Sequence, residues 1–179
     1  ESVARGGGRR GGVALASLAA GEPGRAFALA FPADGPSPVD LRLGAAEALP
    51  QLAAGEAGRW LEALLADPAP RVRMEAVSRL PRGAAPQLAA LLARALADPD
   101  GAVRAAALDA AAPLAEGPSA DAAVREAFRA AYAASLASGE PDLVASALDA
   151  AAALAEGACP LLAARREDED DLVRARARR

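Results

Sequence analysis

The chain repeats short motifs at intervals of 31 to 40 residues. At an offset of 31, the LADP that starts at Leu65 returns at Leu96, and the Val-Arg pair that follows returns with it. Two more segments are repeated. LDAAAPLAEG (108–117) recurs as LDAAAALAEG (148–157) at an offset of 40, and LAAGEPG (18–24) recurs as LAAGEAG (52–58) at an offset of 34. Periods of this length are typical of arrays in which one supersecondary unit is repeated along the chain.

Each repeat is predicted to be a pair of antiparallel helices. The Asp-Pro dipeptide ends one helix, because proline disfavours helical geometry in the residue before it. Apolar residues then recur at helical spacing until a glycine closes the run. We expect the second helices of the pairs near 12–20, 39–54, 70–82, 101–116, 141–156 and 170–179. We expect the first helices near 24–31, 57–66, 84–97, 119–137 and 158–166.

The composition favours helices over strands. Alanine, the best helix former, supplies 55 of the 179 residues, whereas Ile and Thr, two of the three β-branched residues, are absent. The chain also has no Lys, His or Asn, which is typical of codon usage in a GC-rich bacterial genome. The sequence contains no uninterrupted apolar run long enough to span a membrane, and we expect a cytoplasmic location.

The Asp-Pro turn followed by Val-Arg in the second helix resembles the pattern of HEAT repeats. The spacing is closest to that of the short HEAT-like repeats found in phycobilin lyases. The resemblance implies a right-handed α-solenoid of about five stacked antiparallel helix pairs over residues 12–179, preceded by a flexible Gly/Arg-rich segment at 1–11. The absence of an initiator Met and the ending in RARARR indicate that the array belongs to a longer chain.

The same resemblance implies a ladder of arginines and turn aspartates along the array. Its members would be Arg42, Asp67, Arg73, Asp98, Arg104 and Arg174. Arg73 and Arg104 would pair with Asp67 and Asp98, Arg42 with Asp34, and Arg174 with the acidic stretch 167–171. The unit at 141–156 departs from the pattern, because Val144 or Ala145 stands where the arginine belongs.

Little in the sequence points to catalysis. Without His, nucleophile pairs of the Ser-His or Cys-His type cannot form, and one Cys cannot build a zinc site. The acids at 168–171 lack the spacing of a calcium loop, and they suit the start of a helix that ends in arginines. Cys159 is best explained as a structural thiol. We therefore predict no catalytic residue, no metal and no cofactor.

The arginines Arg71, Arg73, Arg79 and Arg82 surround a single acid, Glu75. If second helices line a concave face, this cluster is a candidate binding surface, although ladder contacts and solvation explain most such charges. The sequence predicts a non-catalytic scaffold that binds another protein or a neighbouring domain of its parent chain. One alternative is an accessory repeat domain of a larger enzyme, such as a cyclophilin-type peptidyl-prolyl isomerase. Another is nucleic-acid binding through the arginines, which the net charge of −4 disfavours.

Overall fold

The computed structural model describes residues 9–80, 86–115, 122–150, 163 and 165–177, and this part of the chain contains helices and turns but no strand. The prediction of an all-α protein is confirmed for these residues. The helices are α1 (Arg9–Gly21), α2 (Pro23–Ala30), α3 (Val39–Ala48), α4 (Ala54–Leu65), α5 (Pro70–Ser78), α6 (Pro86–Leu96), α7 (Gly101–Ala115), α8 (Ala122–Ala137), α9 (Pro141–Ala150) and α10 (Asp171–Ala177). A short 3₁₀ turn, Leu49–Gln51, follows α3.

Most helices begin at or close to the residue that the repeat predicts. The second helices α3, α5, α7 and α9 begin at residues 39, 70, 101 and 141, as expected. Proline occupies the first position of α5, where its missing N–H breaks no helical hydrogen bond. The predicted helix at 158–166 lies almost entirely outside the described residues. None of the described helices is long and apolar enough to cross a membrane.

The chain divides into two compact units, and the boundary falls within α6, between Leu91 and Leu92. In the first unit, α3 packs against α1 and α5, and α4 packs against α3 and α5. The short helix α2 contacts α1 and α3. Its fully buried core includes Leu15, Ala26, Ala30, Ala45, Leu49, Trp60, Leu64, Val72 and Ala76. The second helices of successive pairs therefore lie side by side within this unit.

Two glycines let α1 and α3 approach until their backbones touch. A Cβ atom on Gly44 would lie 2.5 Å from Cα of Gly12, and a Cβ atom on Gly12 would lie 2.7 Å from the carbonyl oxygen of Asp40. Neither distance leaves room for a methyl group. Helix α1 begins at Arg9, inside the segment that the sequence predicts to be flexible, and Gly11 and Gly12 are buried in it.

The second unit repeats the same arrangement. Helix α7 packs against α8 and α9, and α9 packs in turn against α8 and α10. Its core includes Val103, Ala107, Leu108, Ala111, Phe128, Tyr132, Leu143, Ala147 and Val173. Burial raises the pKa of the Tyr132 phenol above its ordinary value of 10.0. Its hydroxyl oxygen has no hydrogen-bond partner within the part of the chain that the structure describes.

Candidate functional site

Three aspartates open the turns that precede α5, α7 and α10. Each accepts, through Oδ1, the main-chain N–H of the residue two positions later, which fixes the turn. The distances are 2.8 Å from Asp67 to Ala69, 2.9 Å from Asp98 to Asp100 and 3.1 Å from Asp168 to Asp170. We call Asp67, Asp98 and Asp168 the turn aspartates. Their local hydrogen bonds replace the helical bonds that the chain gives up at these turns.

An arginine six residues after each turn aspartate closes the same turn. Nη1 of Arg73 and of Arg104 donates to the carbonyl of its turn aspartate at 2.9 Å, and Nη1 of Arg174 donates to the carbonyl of Asp168. In each case the next carbonyl also accepts, at 3.4, 3.0 and 2.7 Å respectively. We call Arg73, Arg104 and Arg174 the turn arginines. For Arg73 and Arg104 the resemblance implies bonds to the carboxylates of Asp67 and Asp98, whereas these hydrogen bonds go to main-chain carbonyls of the turn. Arg174 also forms an ion pair with the carboxylate of Asp171, which lies in the acidic stretch expected to hold it.

Arg42 forms a buried ion pair with a turn aspartate of the following helix pair. Its Nε lies 2.6 Å from Oδ2 of Asp67, and the two side chains are 7% and 2% exposed. Nη2 donates to Oδ1 of Asp67 at 3.3 Å, and Nη1 donates to the carbonyl of Ser37. The expected partner is Asp34. The turn before α3 has Pro36 six residues before Arg42, where the turns before α5, α7 and α10 have Asp, and Arg42 pairs with the carboxylate of Asp67 and not with Asp34.

The turn before α9 departs from the pattern, as the sequence predicts. Ser138 takes the place of the turn aspartate, and its Oγ accepts the N–H of Glu140 at 3.1 Å. Val144, six residues later, is buried and offers no donor to the turn. Two other arginines contact this turn instead. Nη2 of Arg104 lies 2.7 Å from Oε1 of Glu140, and Nη2 of Arg165 donates to the carbonyl of Leu136.

A groove of about 530 Å³ lies between the beginnings of α7 and α9. Asp100, Glu140 and Asp142 give it an acidic lining. Two of these carboxylates are already engaged, because Asp100 caps the N–H of Ala102 at 3.0 Å and Glu140 binds Arg104. The groove is therefore lined by residues of the turns before α7 and α9, and only part of its negative charge is available to a ligand.

The predicted arginine cluster is not a group of free cations. Arg71 is exposed on α5, whereas Arg73 is only 9% exposed and closes its turn. Nε of Arg79 lies 2.9 Å from Oε1 of Glu75, one helical turn earlier. Arg82 lies outside the described residues. Two of the three described members of this cluster are thus engaged in contacts of their own.

Aromatic side chains gather between α2 and α4 in the first unit. The ring centroid of Phe27 lies 4.9 Å from that of Phe31 and 5.7 Å from that of Trp60, with the rings tilted at 45° and 59°. The guanidinium carbon of Arg59 lies 4.1 Å from the centroid of Phe27. We call Phe27, Phe31 and Trp60 the aromatic cluster. It holds three of the five aromatic residues of the whole chain.

Two buried polar atoms, one in the aromatic cluster and one a helical turn away from it, have no hydrogen-bond partner among the described residues. They are Oε2 of Glu56 and Nε1 of Trp60, which lie one turn apart on α4. A buried polar atom without a partner costs about 1–3 kcal/mol, so each of these two atoms leaves a hydrogen bond unmade. The sequence marks Trp60 as a large residue but does not reveal this cluster. Its only signal is the concentration of aromatic residues between residues 27 and 60.

The acids before α10 serve the turn. The main-chain N–H of Asp170, followed by the guanidinium of Arg165 at 2.9 Å, holds the pKa of Asp168 below its ordinary value of 3.8. Asp170 in turn caps Leu172 through Oδ1 at 2.8 Å. Within the described ranges, no three His, Cys, Asp or Glu side chains are grouped so that they could hold a metal ion. Cys159 lies outside those ranges.

Comparison of the chain with protein-family models, with curated proteins and with solved structures finds no match.

Proposed function

We propose that the chain is a non-catalytic protein-binding module, built as a right-handed α-solenoid of HEAT-like repeats. It acts as a scaffold that holds another protein or a neighbouring domain of its parent chain. Its surface is formed by exposed positions on successive helices, and its turns are fixed by the aspartate and arginine contacts. The proposal names no reaction.

One observation carries this proposal: the same turn is built three times. The turn aspartates cap the residue two positions later, and the turn arginines reach back to the carbonyls of the same turn. A buried valine precedes each turn arginine. Repetition at this level of detail supports a tandem array, because each helix pair needs a neighbour to cover its apolar face. Such arrays use extended surfaces for binding.

The side-by-side packing of second helices adds support within each unit. In the first unit α1, α3 and α5 follow one another, and in the second unit α7, α9 and α10 do so. This neighbour-to-neighbour pattern is the one that stacked helix pairs require. Many of the arginines already contact turn carbonyls or carboxylates. These contacts favour a structural role for the arginines over the binding of phosphates.

Site-specific photo-crosslinking tests the proposal. A photoreactive residue is placed, one at a time, at four exposed positions on four different helices: Glu62 on α4, Arg71 on α5, Arg129 on α8 and Asp142 on α9. Each variant is exposed to lysate of the host cell and its adducts are identified by mass spectrometry. A binding module should give the same adduct from a contiguous subset of positions, since a protein interface covers one patch of the surface.

Purified partner should then bind the unmodified chain in a saturable manner with a fixed stoichiometry. No adduct from any position, or unrelated adducts that differ from one position to the next, would contradict a binding module. Turnover of a substrate by these residues alone would contradict its non-catalytic character.

A further inference from the structure

The geometry points to the aromatic cluster and Glu56 as a docking site for an arginine side chain of the bound partner. This inference rests on the proposed function and names the chemistry by which the module would recognise its partner. The site lies on α2, on Phe31 directly after it, and on α4 of the first unit.

The Phe27 ring already binds a guanidinium. Arg59 is exposed to solvent, yet its guanidinium carbon lies 4.1 Å from the Phe27 centroid. Aromatic faces attract cations through their quadrupole, and arginine is the cation found there most often. The contact shows that the face of Phe27 is accessible to a guanidinium and has the right geometry for one.

One carboxylate oxygen of Glu56 has no partner among the described residues. Glu56 precedes Arg59 by three residues, a spacing that lets the two side chains meet on a helix. The structure does not pair them, because Arg59 lies over Phe27 instead and Oε2 of Glu56 is buried without a partner. An acceptor of this kind is satisfied by a charged N–H donor, and a guanidinium offers five.

The side chains of the aromatic cluster suit a guanidinium ligand. Phe27 and Phe31 are half-buried, so a ligand can reach their rings, and Trp60 backs them from the core. A planar guanidinium suits this setting, because it stacks on aromatic rings and is more weakly hydrated than an ammonium. Arg59 therefore occupies the position on Phe27 that an arginine of the partner would take by displacing it.

A fluorescence titration tests the inference directly. Trp60 is the only tryptophan of the chain, so its emission reports on this cluster alone. The probe is a capped Gly-Arg-Gly peptide, and its control is the same peptide with citrulline, which keeps the shape of arginine without the charge. We expect a saturable change in Trp60 emission with the arginyl peptide. The citrulline peptide should bind at least about fivefold more weakly, because it lacks the cation–aromatic contact.

Three variants separate binding from folding. Glu56→Gln and Phe27→Leu should each weaken binding of the arginyl peptide by about three- to tenfold, since each removes one attraction for the cation. Glu62→Gln removes the same charge from an exposed position on the same helix and should leave binding unchanged within about twofold, since an exposed charge outside the contact is screened by salt. Circular dichroism checks that each variant is folded.

Arg59→Gln gives the sharpest result, because it predicts a gain. Removal of the internal competitor should strengthen binding of the arginyl peptide by about two- to fivefold, as the site no longer has to release its own guanidinium. An unchanged or weaker affinity in this exposed variant would overturn the inference, as would equal binding of the arginine and citrulline peptides.

The two proposals can fail separately. A purified partner that binds Phe27→Leu as tightly as the unmodified chain would contradict this site but not the binding module. An arginine-selective site in a chain that crosslinks to no protein would contradict the binding module alone.

Discussion

Arg42 and Asp67 form a deeply buried ion pair, and removal of one partner leaves the other without its counter-charge. Arg42→Ala leaves the Asp67 carboxylate in the core, where it still accepts the N–H of Ala69 but has lost its guanidinium. We expect a loss of about 3–5 kcal/mol in the free energy of unfolding, because an uncompensated buried charge is costly. Chemical denaturation followed by circular dichroism measures it.

Arg79→Ala is the matched control for Arg42→Ala. Its ion pair with Glu75 is nearly as short, at 2.9 Å, but the arginine side chain is 48% exposed. Exposed pairs contribute about 0–1 kcal/mol. Equal losses in the two variants would mean that Arg42 does not occupy the buried site that the structure assigns to it.

Tyr132 gives a prediction for alkaline pH. Burial raises the pKa of its phenol, so the folded state holds this proton more tightly than the unfolded chain does. The stabilisation is fully present below the ordinary pKa of 10.0 and is lost as pH rises through the higher folded-state value. Because the chain has one Tyr, the ultraviolet absorbance of the phenolate reports this group alone in native and denatured protein.

Tyr132→Phe should remove this contribution to the pH dependence while keeping the ring in the core. A phenol that titrates at the same pH in the native and denatured states would contradict the burial of Tyr132.

At the residue scale, the sequence predicts which side chains are engaged better than it predicts their partners. Arg73 and Arg104 are marked by their place in the repeat, but a sequence pattern does not distinguish a carboxylate from a carbonyl of the same turn. The resemblance to HEAT repeats implies that Arg42 pairs with Asp34, whereas its partner in the structure, Asp67, lies 25 residues away. The aromatic cluster escapes sequence analysis because it joins helices from two pairs.

At the element scale, helix starts are predictable because proline and turn residues mark them locally. The second helices α5 and α7 begin at the residues that the Asp-Pro spacing indicates. Helix packing is not predictable in the same way. The contact of α1 with α3 depends on two glycines, Gly12 and Gly44, that are far apart along the chain, and nothing in the local sequence marks either as a crossing point.

The crossing of α1 and α3 yields a prediction of its own. Gly44→Ala would push a methyl group against the backbone of Gly12, and neither backbone can move without separating the helices. We expect a loss of about 1–3 kcal/mol, the usual cost of overpacking. Thermal unfolding followed by circular dichroism measures it.

Gly24→Ala and Gly55→Ala are the controls, because a Cβ atom at either position meets nothing within 4 Å. Both glycines lie in helices, so alanine should be neutral or should stabilise by up to about 1 kcal/mol. A gain in stability from Gly44→Ala as well would show that α1 does not pack closely on α3.

At the scale of the whole molecule, the division into two compact units predicts that a destabilising substitution lowers the stability of its own unit much more than that of the other. In a repeat array each pair is stabilised by its nearest neighbours, so stability is distributed along the chain. Arg42→Ala acts in the first unit, and Arg104→Ala removes two turn carbonyl bonds and the bond to Glu140 in the second.

Native-state hydrogen exchange read by mass spectrometry distinguishes local from global damage. Arg42→Ala should lower the protection of amides in α3, α4 and α5 and leave α8 and α9 close to their unmodified values. Arg104→Ala should lower protection in α8 and α9 and leave α3, α4 and α5 close to theirs. The physical reason is that each arginine ties turns of its own unit, so its loss opens that unit without requiring the other to unfold. If either substitution lowered protection equally across both units, the chain would unfold as one cooperative body, and a description by neighbouring repeats would not apply to its stability.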